Sequence, residues 1–117
     1  MQGIGGVFFR SRDPAALAHW YSDHLGIELE PWSGAVFSAA VGDVTVWSPF
    51  AADTAYFNAS QAWMANYRVR NLDAMLAQLR AAGVEVDDEI QVEENGRFGW
   101  AADPEGNRFE LWEPSGQ

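Results

Sequence analysis

The feature that most constrains this chain is that it repeats itself within 117 residues. Near the start, Arg10-Ser11-Arg12 opens an apolar, periodic stretch that closes on Leu25-Gly26-Ile27-Glu28. Arg68-Val69-Arg70 and Ala82-Gly83-Val84-Glu85 run in the same order, after a one-residue slip. VTVWSP (44–49) likewise matches FELWEP (109–114). Two copies are too few for a solenoid and point to duplication with a pseudo-two-fold arrangement.

Each copy reads β-α-β-β-β. In the first, 4–10 is an apolar strand. Asp13 is a good N-cap, and Pro14 stands at the first helical position, where a missing N–H costs nothing. Leu17, Trp20, Tyr21 and Leu25 recur at helical spacing, and Gly26 stops the helix. Strands over 36–41 and 44–48 flank a two-residue turn at Gly42-Asp43. In the second copy, 64–69 is a strand, and Asn71 caps a helix carrying Leu72, Met75, Leu76 and Leu79. Gly83 ends it. Strands follow over 84–92, 98–102 and 108–113, with a turn at Asp103-Pro104-Glu105-Gly106. The expected division is a first module over 1–50, a linker over 51–62 and a second module over 63–117, together one domain. The fold class is α+β: two tandem βαβββ modules forming a curved mixed sheet, a cup with helices on its outer face.

Alternation along the strands sorts their faces. Val7 and Phe9, Val44 and Val46, Ala65, Tyr67 and Val69, and Phe109 and Leu111 should bury against the helices. The other face then carries Phe8, Arg10, Thr45, Trp47, Met64, Asn66, Arg68, Arg108, Glu110 and Trp112. Tryptophans beside arginines, an amide and a carboxylate suit a pocket lined by apolar groups with a few placed polar ones. A subunit interface with satisfied Arg–Glu pairs is the plainer alternative.

Charge and composition narrow the ligand classes. The formal net charge is −10, which disfavours nucleic acid and anionic membrane as partners. With 48% hydrophobic and 14% aromatic residues, disorder is a poor reading. No cysteine is present, so disulfides, thiolate metal sites and cysteine nucleophiles are excluded. No signal-like or membrane-length apolar run is visible, and a cytoplasmic location is the default expectation. No P-loop, nucleophile elbow or dinucleotide fingerprint occurs.

On RDPAALAHWYSDHLGIEL (12–29), DPEGNRFELWEP (103–114) and the internal repeat, the chain resembles the vicinal-oxygen-chelate superfamily. This group includes glyoxalase I, bleomycin-resistance proteins and extradiol dioxygenases. The resemblance covers nearly the whole chain and implies paired βαβββ modules, commonly in a homodimer whose pockets are shared between chains. In metal-dependent members, His, Gln or Glu from the first and last strands of each module hold a divalent ion that chelates the substrate. Carried over position by position, those places fall on Gly6, Thr45, Met64 and Glu110. Only Glu110 is a good ligand for such an ion. His19 and His24 sit five apart on the first helix and do not repair the set.

The resemblance and the residues together leave three readings. The first is a protein that binds a small organic molecule without a metal or other cofactor. Trp47, Trp100, Trp112 and Phe8 would stack on the ligand, and Arg10, Thr45, Met64, Asn66, Arg68 and Glu110 would line or orient it. The acidic balance suits a cationic drug of the bleomycin type, whereas inward arginines suit an anionic group. The second is a metal-dependent lyase, isomerase or dioxygenase with a degenerate ligand set. The third is a metal-free enzyme in which Glu110 moves a proton and Arg68 steadies the resulting anion. Whether the protein is an enzyme stays open at this stage.

Overall fold

The computed structural model describes residues 1–116; Gln117, the end of the expected second module, lies outside the described residues. Helix α1 spans Pro14–Leu25. It is followed by β1 (Asn66–Arg68), α2 (Leu72–Ala81), β2 (Gln91–Glu93), β3 (Gly96–Ala102) and β4 (Arg108–Pro114). The strands form one mixed sheet in the order β1-β4-β3-β2, with β1 parallel to β4 and the other pairs antiparallel. The architecture is the expected α+β one, with both helices on a single face.

Local chemistry sets the helix ends. Asp13 accepts from the Ala16 amide at 3.1 Å, with Pro14 at the start of α1. Gly26 closes α1 at φ 75°, a left-handed conformation that glycine adopts without strain. Asn71 accepts from the Ala74 amide at 3.0 Å and begins α2. The β2–β3 turn depends on Gly96 at φ 138°, where a Cβ would stand 2.3 Å from the Glu113 carbonyl oxygen.

The core lies between the helices and the sheet. Leu72, Leu76 and Leu79 of α2 and Phe109 and Leu111 of β4 are all at most 1% exposed. Helix α1 joins them through Leu17 and Tyr21, the latter packed against Phe109 and Tyr67 at ring-centroid distances of 5.7 Å. Burial pushes the Tyr67 phenol up to about 12 and the Tyr21 phenol higher still, helped by Tyr67 and the Asp103 carboxylate. Tyr21 donates to Asp103 at 2.8 Å, so its buried hydroxyl is satisfied.

One turn fastens α1 to the sheet. Asp103 accepts from the Glu105 and Asn107 amides and the Asn107 side chain, shaping the turn between β3 and β4. Glu105 then reaches back to accept from the Ser11 hydroxyl at 2.7 Å and the Arg12 amide at 2.9 Å. These bonds hold its carboxyl below the usual range, the Arg12 amide contributing most.

The expected strands of the first half do not form ladders. The segments 4–10, 36–41 and 44–48 lie outside the sheet, although the turn between the last two is made, with the Asp43 amide donating to the Ala40 carbonyl at 3.0 Å. Val7, Phe9, Val44 and Val46, expected to bury against a helix, are 66%, 47%, 58% and 69% exposed. The reason is competition for one helix. The apolar side of α1 is already used against Phe109 and Tyr67, so the first-half strands have no helix left to cover them.

Candidate functional site

The sheet face away from the helices brings together residues from three strands. Asn66 on β1 and Trp100 on β3 both stand in register with Glu110 on β4. They are cross-strand neighbours on one face, the geometry that lets side chains meet. Asn66 Nδ2 donates to Glu110 Oε1 at 2.7 Å, and Trp100 Nε1 donates to Oε2 at 2.9 Å. A third donor arrives from the segment expected to be a mere linker: the Tyr56 hydroxyl also bonds to Glu110 Oε2. Burial and this bond raise the Tyr56 phenol above its ordinary value, so Tyr56 stays a donor.

Glu110 is thus 7% exposed and held by three neutral donors. A carboxylate offers about four acceptor positions, so three are taken. Among the described residues no cation pairs with it. Arg108, two positions away, packs over the Trp100 ring at 5.3 Å and spends its charge on Asp87 at 2.9 Å.

Segment 56–61 is tied down along its length. The Tyr56 carbonyl accepts from Arg108 Nε, and Asn58 Nδ2 donates to the Gly106 carbonyl. The Gln61 amide accepts from the Arg108 N–H at 2.7 Å and donates to the Arg108 carbonyl at 3.0 Å, standing in for a neighbouring strand. Tyr56 is therefore placed by the rim of β4, and its ring meets Trp100 edge-on at 5.8 Å.

Tyr56 also lines a wide, open cleft on the surface, together with Phe50, Gln91, Glu93, Glu94, Asn95 and Phe98. Phe98 stacks on Trp112 with parallel rings 6.1 Å apart, and the Trp112 indole donates to the Asn95 carbonyl. The sequence reading put Glu110, Asn66 and Trp112 on this face and named Trp100 as a stacking residue; in the structure all four lie on it. It missed Tyr56, Phe50 and Phe98. The aromatic pair Tyr56-Phe57 inside a supposed linker was the available signal.

The remaining expected site residues lie elsewhere. Phe8 and Trp47 are 96% and 76% exposed, and Arg10 and Thr45 are exposed as well. Their segments pair with no strand of the sheet, so nothing carries them to Glu110. Arg68 turns to Asp43 at 3.6 Å and the Val44 carbonyl at 2.7 Å, and it does not line the cleft. Met64 is half-buried next to β1.

The donor set does not suit a divalent cation. Gly6 has no side chain, Met64 offers a soft thioether, Thr45 is exposed, and the Glu110 oxygens already accept from three side chains. Among the described residues no three His, Cys, Asp or Glu side chains gather as a metal site would require. His24 instead stacks on Trp20 at 4.6 Å on α1.

Comparison with known proteins gives a family and a fold. The glyoxalase-like domain family matches residues 6–112. No curated protein matches the chain. Among solved structures, TnmS3, an antibiotic binding protein from Streptomyces sp. CB03234, is 22% identical. It aligns over 85% of this chain and 84% of its own, with a TM-score of 0.52. The oxidase ChaP-H2 is 20% identical over 92% of this chain and 90% of its own, with a TM-score of 0.53. A glyoxalase family protein from Enterococcus faecalis is 24% identical, but the match spans 52% of that protein and 55% of this one, with a TM-score of 0.42.

Proposed function

The chain belongs to the glyoxalase-like domain family, and on that premise we propose that it binds a small organic molecule in the cleft beside Tyr56, without a metal. One observation carries this reading: Glu110, where the resemblance would put a metal ligand, is engaged by Tyr56, Asn66 and Trp100, and Tyr56 also lines a cleft with Phe50 and Phe98. Apolar walls with a few placed polar groups are the usual make-up of such sites. That a protein of the same fold is an antibiotic binding protein agrees with a binding role.

A proton-transfer role for Glu110 fits the geometry less well. A general base needs a lone pair within reach of the proton it takes. Glu110 already accepts from Tyr56, Asn66 and Trp100, and Arg68, the expected anion stabiliser, pairs with Asp43 instead.

A second copy of the chain is part of the proposal. Val7, Phe8, Phe37, Val46 and Trp47 are each at least 66% exposed in the single chain. Apolar arrays of this extent mark interaction surfaces. A homodimer would cover them and bring Phe8 and Trp47 into a shared pocket.

Tryptophan emission reports on the cleft, because Trp100 touches Tyr56 and Trp112 stacks on Phe98. Titrating chelator-treated protein with small aromatic compounds of all three charge classes should give saturable quenching, weakened by Tyr56→Ala. Unchanged emission with every class would remove the binding reading.

A further inference from the structure

Resting on the reading of the cleft as a ligand site, we infer that its ligand is an organic aromatic cation. Three aromatic side chains line it: Phe50, Tyr56 and Phe98. Phe50 and Tyr56 lie 5.3 Å apart with their rings tilted by 36°. The polar lining consists of Gln91, Asn95 and two glutamates, Glu93 and Glu94, and no arginine lines the cleft. Ring faces carry negative quadrupole density, so an aromatic wall attracts a cation as well as a flat apolar body.

A separate observation points the same way. The Tyr56 hydroxyl bonds to Glu110, which is buried and without a cationic partner among the described residues. Its three partners are neutral side chains, so its hydrogen bonding is satisfied without an ion pair. A phenol that donates to a carboxylate becomes richer in electrons, which strengthens the attraction of its ring for a cation. The arginines expected on this face do not line the cleft: Arg108 is paired with Asp87, Arg68 with Asp43, and Arg10 is exposed on a segment outside the sheet. The cleft therefore combines aromatic side chains, two carboxylates in its lining and a buried carboxylate bonded to one of its aromatic residues. A planar cation with a delocalised charge fits all three.

The test uses three probes of similar shape and different charge: N-methylquinolinium, quinoline and naphthalenesulfonate, titrated into the intact protein by calorimetry at neutral pH. The cation should bind on the order of tenfold tighter than quinoline, the scale of desolvated cation–π contacts. That advantage should shrink with added salt. The double variant Glu93→Gln/Glu94→Gln should weaken the cation severalfold and quinoline much less. Both positions are exposed, and the substitution keeps side-chain size, so the fold stays intact. Quinoline equal to the cation, or naphthalenesulfonate the tightest of the three, would overturn the cation assignment while leaving the cleft as a ligand site. Heatless titrations with all three, in protein shown to be folded by its melting transition, would overturn both.

Discussion

Phe109, Leu111 and Trp112 occupy the same places in the second repeat as Val44, Val46 and Trp47 in the first. The first set is 1%, 0% and 6% exposed; the second is 58%, 69% and 76% exposed. The local pattern is the same, and the burial is opposite. The difference lies in what each segment has to pack against. Strand β4 is central in the sheet, between β1 and β3, with α1 and α2 over one face and Tyr56 over the other. Segment 44–48 has neither a paired strand nor a helix. Repetition therefore carries the pattern of a module, while closure of that module depends on where its helix goes. Here α1 has joined the second module.

The sharpest way to break this comparison is to truncate matched positions. Phe109→Ala should destabilise the protein by about 3–5 kcal/mol, as loss of a fully buried aromatic does. Val44→Ala should stay within about 0.5 kcal/mol in dilute protein, as exposed substitutions do. Urea melts of the two variants decide it, and equal losses would mean that segment 44–48 is packed after all. At higher concentration Val44→Ala sharpens the comparison further: if a second copy covers the first half, this variant should weaken the dimer seen by light scattering.

A smaller effect is expected at the seam between the halves. Tyr56→Phe removes one donor from a buried carboxylate, and should cost about 1–3 kcal/mol with the secondary structure unchanged by circular dichroism. No loss would mean that the Tyr56 hydroxyl is not engaged in solution.

Much of this was legible in the sequence. Asp13-Pro14, Gly26 and Asn71 mark helix ends through bonds made within four residues, so the chain states them locally. The faces of β4 follow from alternation alone, which put Glu110 and Trp112 opposite Phe109 and Leu111. Partners are another matter. Alternation says which way Val44 and Val46 point and does not say what they meet. Tyr56 reaches Glu110 across 54 residues of sequence, and no local pattern announces such a contact. Trp100 was expected as a stacking surface, and nothing in the pattern announced that its indole N–H also serves Glu110.

The smallest predicted effect concerns the fastening of α1. The Glu105 carboxyl is held below its ordinary value by the Arg12 amide and the Ser11 hydroxyl. A depressed folded value means that the stabilisation is present above the unfolded carboxylate range, near pH 4.3, and is lost as pH falls through the folded value. Glu105→Gln should therefore lower stability slightly at neutral pH and flatten the acid limb, so that variant and parent converge at low pH. An acid limb identical to that of the parent would show that the bond to the α1 terminus contributes nothing.

The central proposal is that the protein binds its ligand without a metal, Glu110 being engaged by Tyr56, Asn66 and Trp100. The direct measurement is the melting temperature of chelator-stripped protein with and without Zn, Ni, Co, Mn and Fe(II). A ligand that binds only the folded state at a hundred times its Kd adds about 2.7 kcal/mol. The account predicts no saturable shift with any of these ions, in the parent or in Tyr56→Phe. A saturable rise with one ion, abolished by Glu110→Gln in a variant that still folds, would contradict it.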